Sequence, residues 1–196
     1  MNCPSCGAPM SISGDSLKCA YCHSVVVPDR DSSGVRVLTP SPDGTACPVC
    51  NVVLMQAALG KSPLLYCARC HGMLIAMMEF QSLQDAARTA SAPIPALPAN
   101  PSELDRHINC PHCHRPMEPH FFYGQGNVVM DTCETCCLHW LDHDELARIA
   151  QANPDEPNAI NSADDAFYTP TADIDDDVTP ADDAINLLNR ILKPRI

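Results

Sequence analysis

Apolar residues along this chain come in short bursts separated by turn-forming clusters. Val52 to Ala58 and Leu64-Leu65-Tyr66 flank Gly60-Lys61-Ser62-Pro63. Further on, Phe121-Phe122-Tyr123 and Val128-Val129-Met130 flank Gly124-Gln125-Gly126-Asn127. Each reads as strand, turn, strand. A shorter version turns at Ser13-Gly14-Asp15. After the second of these hairpins Met73, Met77, Phe80, Leu83 and Ala87 recur at helical spacing. That stripe reads as core, with an exposed Met-rich binding face as the alternative. After the third, Leu141 and Leu146 bracket Asp142 and Glu145, a variant of the capping box that predicts a short helix over about 143–152. Asp142 is expected to accept from the first helical N–H groups while Glu145 reaches back. In the second module Ala76 stands at the equivalent position and cannot cap, so that helix must start differently. The last periodic stretch follows Thr179-Pro180-Ala181-Asp182, a helix start with Pro at N1 and acid in the first turn. Ile185, Leu188 and Leu192 then share one face. An amphipathic helix of this length is marginal alone in water.

None of these bursts builds a large continuous core. The apolar fraction is 45%, but aromatics are only 5%, and 19 prolines interrupt the chain. Several small modules are expected, and a module below roughly 40 residues needs a metal, disulfides or a partner to fold.

The cysteines supply the missing cohesion. Twelve of the 13 fall into six C-x-x-C pairs. Taken two by two, the pairs enclose 12, 16 and 19 residues, which suits four-cysteine zinc sites. The first pair of each set repeats a pattern: C-P-S-C-G-A-P-M, C-P-V-C-N-V-V-L and C-P-H-C-H-R-P-M, with Met10, Leu54 or Met117 four residues after the second Cys. Two knuckles, each presenting two sulfurs, complete the tetrahedron of a structural zinc site. The predicted ligands are Cys3, Cys6, Cys19 and Cys22; Cys47, Cys50, Cys67 and Cys70; and Cys110, Cys113, Cys133 and Cys136. Three zinc ions per chain follow. Cys137 is left over. Three knuckles also read C-x-x-C-H, ending at His23, His71 and His114, which is a haem attachment signal. Haem would leave three pairs unexplained, whereas zinc explains all six by one rule. A ligand exchange, with one of these histidines replacing a nearby cysteine, is left open by the sequence.

The fold class is therefore small metal-stabilised modules: three tandem zinc ribbons made of short β-hairpins plus short helices, a disordered acidic tail and a terminal amphipathic helix. The expected boundaries are ribbon one at 1–28, a linker at 29–44, ribbon two with its helix at 45–89, a Pro/Ala-rich linker at 90–104, ribbon three with its helix at 105–152, the tail at 153–178 and the terminal helix at 179–196.

The third module ends C-E-T-C-C-L-H-W-L-D-H-D-E-L. This resembles the bacterial transcription factor IIB-type zinc ribbon family, whose second knuckle runs into W-L-D and then E-L. Trp140, Leu141, Asp142, Glu145 and Leu146 match; Cys137 and Leu138 stand where Gly-Gly is common. Module two keeps Gly72 and Glu79 but has Leu74 for the Trp and Ala76 for the Asp. The resemblance implies the ribbon fold, with Trp140 packed beside the zinc knuckle. It is nearly silent on function.

Charge narrows the function classes. The net charge is −12, and residues 151–196 hold 10 acidic against 3 basic residues. Twelve zinc-bound thiolates would lower it by about six more. Phosphate binding needs a basic patch, and only Arg69, Arg106 and Arg115 offer a small one. Four sulfurs leave no open position for hydrolysis, and a thioredoxin-type reading lacks its βαβ context. The favoured expectation is a non-enzymatic interaction scaffold or adaptor whose unidentified protein partner docks through 179–193. A nucleic-acid-binding or transcription-associated regulator is the alternative. The opening residues lack a basic start followed by an apolar run, and no apolar stretch approaches the roughly 20 residues of a membrane helix. A cytoplasmic, reduced location with no membrane association is expected.

Overall fold

The computed structural model describes residues 1–90, 100–122 and 128–151. Most of the second expected linker, the turn at 124–127, the acidic tail and the terminal helix lie outside the described residues.

Ribbon one is a sheet of its own. β1 (Met10–Ser13) and β2 (Ser16–Cys19) pair antiparallel around Gly14, and β3 (Val25–Val26) adds beside β2. Its core is thin: Leu17, Cys3 and Cys19 are buried, while Val25 and Val27 are exposed.

Ribbons two and three share one sheet. β4 (Val35–Pro40), β5 (Met55–Leu59), β6 (Ser62–Tyr66), β7 (Met73–Ala76), β8 (Glu118–Phe121), β9 (Val129–Cys133) and β10 (Leu138–Leu141) form seven antiparallel strands in the order β4-β5-β6-β7-β10-β9-β8. The two ribbons join at β7 and β10, where Trp140 faces Leu74 and Leu138 faces Ala76. Strand alternation divides the core. Leu64, Tyr66, Met73, Ile75 and Leu141 point to one face, where α1 (Phe80–Ala90) and α2 (Glu145–Gln151) cover them. Leu65, Leu74, Leu138 and Trp140 point to the other, among the knuckle cysteines. The central strands are thus buried on both faces, which a lone ribbon of this size cannot arrange.

Several sequence expectations change here. The segment 29–44, expected to be a linker, carries β4. Val35 is fully buried in the helix-side core, and Asp31 prepares the strand by accepting from the N–H groups of Ser33 and Val35, both at 2.9 Å. The alternation in Val35-Arg36-Val37 was the available signal; the surrounding Pro, Asp and Ser masked it. The helical stripe begins too early. Met73 lies in β7 and Met77 in a 3-10 turn over Met77–Glu79, so only Phe80, Leu83 and Ala87 are helical. Ala76 supplies no side-chain cap. Instead the Met77 N–H donates to the Cys137 carbonyl of ribbon three at 3.0 Å. The third hairpin is set further from its turn than Phe121–Tyr123 and Val128–Met130 suggested, because β9 runs directly into Cys133.

Ribbon three's helix start is also different in detail. Glu145 reaches back as expected, accepting from the Asp142 N–H at 2.6 Å. The Asp142 carboxylate, however, does not cap. It accepts from Trp140 Nε1 at 3.0 Å and from Arg106. A buried indole N–H must find an acceptor, and the Arg106 guanidinium offers Asp142 a stronger, charge-assisted partner than a helix N–H.

Candidate metal centres

Each site is built from two tight turns. In the Cys47 knuckle, the Cys47 N–H donates to Val52 O at 2.7 Å, the Asn51 N–H to Cys47 O at 2.9 Å, and the Cys50 N–H to Cys47 Sγ at 3.4 Å. The knuckles at Cys3, Cys19, Cys67 and Cys110 repeat the same backbone bonds. The sixth turns as a 3-10 helix over Glu134–Cys136.

The residue after the second cysteine is left-handed in all six knuckles: Gly7 (φ 75), His23 (61), Asn51 (56), His71 (61), His114 (60) and Cys137 (50). Gly takes this conformation freely, and Asn and His are enriched among the side chains that tolerate it. This accounts for the three C-x-x-C-H strings. The histidine follows the cysteine because the turn needs a left-handed residue, not because a haem iron needs an axial ligand.

The twelve cysteines proposed as ligands converge in three groups of four, each with its sulfurs within 4.8 Å of one another. Cys3–Cys22 and Cys6–Cys19 are 3.5 Å apart, Cys47–Cys50 3.4 Å, Cys50–Cys67 3.3 Å and Cys113–Cys133 3.6 Å. A sulfur tetrahedron around zinc at about 2.3 Å has edges of about 3.8 Å, whereas a disulfide needs about 2.05 Å. The donor set and the spacing both fit zinc, and no histidine belongs to any of the groups. His112 instead lies with Nδ1 3.4 Å from Cys136 Sγ, where a proton on that nitrogen would support the thiolate. Cys137 stands outside the third group, its Sγ 3.5 Å from Glu134 O.

Clustered thiols cannot all ionise alone, so their titrations split. The Ser24 hydroxyl and N–H hold Cys22 down at about 6. Burial pushes Cys47 and Cys110 up to about 11. Against the same burial, N–H groups of Cys70 and Arg69 bring Cys67 to about 7. A divalent cation removes the conflict by stabilising all four thiolates; when bound, it supplies a structural cross-link whose binding energy is folding energy. Protection differs among the sites. Cys6 and Cys22 are exposed, whereas all eight ligands of the other two are buried or half-buried.

Three supports were invisible to spacing rules. Tyr66 OH donates to Asp31 Oδ2 and meets His71 Nδ1, both at 2.6 Å, tying β4 to the second knuckle. Arg106 clamps Asp131, which is fully buried on β9, to Asp142. That engagement removes Arg106 from the basic patch expected with Arg69 and Arg115. Trp140 packs against ribbon two as well as its own knuckle: a Cβ on Gly72 would lie 2.3 Å from its ring.

No curated protein and no solved structure matches the chain. Residues 109–152 match the family described as transcription factor zinc-finger, a TFIIB-type zinc ribbon. They are therefore a zinc ribbon of that type, the last of three four-cysteine zinc-binding ribbons in the chain.

Proposed function

We propose that this protein is a non-enzymatic zinc scaffold or adaptor of the cytoplasm that captures a protein partner through residues 179–193. The observation that carries this reading is the closed chemistry of its metal groups. Four sulfurs complete each coordination shell and leave no position for a substrate or an activated water. The segment 179–193 lies outside the described residues, and its role rests on its apolar face of Ile185, Leu188 and Leu192. The helix expected there from the sequence would bind by laying that face into a groove, with the acidic residues before it serving as a tether. Capture of partners from native cells by the full chain, by Leu188→Asp and by a chain ending at residue 178 tests the proposal. Full-chain partners should be lost from both variants with zinc content unchanged. Equal recovery by Leu188→Asp moves recognition to the ribbons.

A nucleic-acid or transcription-associated role is the second reading, favoured by the family match over 109–152. Against it stand the net charge of −12 and the ion pairs of Arg36 with Asp15 and of Arg106 with Asp131 and Asp142. Duplex DNA binding should be weak with a shallow salt dependence. Submicromolar affinity with a steep salt slope would favour the second reading.

A further inference from the structure

Ribbons two and three meet about an approximate twofold axis. Leu74 is the fourth residue after Cys70, Trp140 is the fourth after Cys136, and the two face each other across β7 and β10. Equivalent positions therefore pair with one another, as in a symmetric dimer folded into one chain. The symmetry is broken on the axis by one large side chain and one absent one. Trp140 is fully buried, and its ring occupies the space that a Cβ on Gly72 would need. Gly72 also closes the second site's knuckle, its carbonyl accepting from the Cys67 N–H at 2.9 Å. Trp140 belongs to the same buried cluster as cysteines of both sites, Cys47 and Cys67 of the second and Cys110, Cys133 and Cys136 of the third. A backbone bond adds to this link: Met77 N–H to Cys137 O, at 3.0 Å, joins the start of ribbon two's helical segment to ribbon three's last knuckle turn.

We propose that the second and third zinc sites are thermodynamically coupled through Trp140 seated on Gly72, each zinc raising the affinity of the other site, while the first site loads and unloads independently. Losing the metal from ribbon two releases its knuckle, removes the floor under Trp140 and exposes the β10 edge. Ribbon three's ligands are then carried by a hairpin with half its core gone. The converse holds when the third site empties. Ribbon one has its own sheet and more exposed ligands. The coupling element is a packed interface that both metals bias.

The experiment is chelator titration of the full zinc-loaded chain, following released zinc with a chromogenic indicator and the emission of Trp140, the single tryptophan. One zinc should leave first without changing the emission; the other two should leave in one cooperative step, with a red shift. Three separate steps, with the emission following only one, would overturn the proposal. Ligand deletions test it a second way. Cys6→Ser with Cys22→Ser should leave two tightly held zinc ions, and Cys50→Ser with Cys70→Ser should leave one, with the third site weakened by about tenfold or more. Two tightly held ions in both variants would refute coupling. Gly72→Ala guards against a general folding failure, because Gly72 is not left-handed and an added methyl meets Trp140 as its nearest obstacle. It should shift release of the paired ions by about tenfold and leave the first ion unchanged. A shift that is absent or confined to one of the pair would overturn the assignment.

Discussion

A left-handed residue closes every knuckle, and the choice of side chain there carries a defined free energy. His114 is exposed with φ 60. Any side chain with a Cβ bears roughly 1–2 kcal/mol in that conformation, and a β-branched one is a steric outlier because both of its γ atoms crowd the backbone as well. His114→Val should therefore weaken zinc at the third site by about tenfold in competition with a calibrated chelator, while His114→Gly should bind at least as tightly as the parent. Equal behaviour of the two would mean that the imidazole, rather than the backbone, matters. Cys137 occupies the same kind of position in the sixth knuckle, where the family pattern has Gly. It is there as a turn residue, since four other sulfurs complete the third group.

The helices begin in two ways because their caps differ by single residues. In α2 the backbone N–H of Asp142 is satisfied by Glu145, which is 5% exposed. Burial, set against that N–H and reinforced by the nearby Asp142 and Glu103 charges, pushes Glu145 from 4.5 up to about 8. The folded protein therefore holds a proton that the unfolded chain has lost between these values. The stability this group contributes is present in full below about pH 4.5 and is lost as the pH rises towards 8. Zinc ligation displaces thiol protons and raises stability with pH in parent and variant alike, so the difference between the parent and Glu145→Gln, which cannot ionise, isolates this group: at saturating zinc the variant's denaturant midpoint should gain on the parent's from pH 6 to pH 8.5. A difference that does not change with pH would mean Glu145 stays ionised in the folded state. In ribbon two, Ala76 offers nothing equivalent, and the Cys137 carbonyl of the neighbouring ribbon takes the Met77 N–H. One helix is thus capped within its ribbon and the other is supported across the junction.

The molecule as a whole depends on metal for its cohesion. Ribbon one surrounds Leu17 with few other buried apolar side chains, and the shared sheet uses knuckle cysteines as part of its second core. Purified protein should contain close to three zinc ions and lack a haem absorption band. Removing all three should abolish the near-ultraviolet signal of Trp140. Cys136→Ser should lower the zinc content by at least one equivalent, whereas Cys137→Ser should keep three. An iron content, a single zinc, or the reverse pattern in these two variants would contradict the assignment of ligands.

Ligand identity, zinc stoichiometry and the hairpins of each ribbon could be read from the sequence because their causes are local. Two sulfurs separated by two residues must share a turn, and Gly60 or Gly14 marks where a hairpin reverses. The sequence also showed that Leu74 stands where module three has Trp140, and Leu138 where module two has Gly72, but not how these positions meet. Only the tertiary structure decided that Trp140 fills the space above Gly72, that β7 pairs with β10, that Val35 to Pro40 extends the sheet and that Arg106 holds Asp131 to Asp142. These contacts join residues far apart in the chain. Their strength comes from excluding water between complementary surfaces, and that complementarity leaves no periodic trace along the sequence.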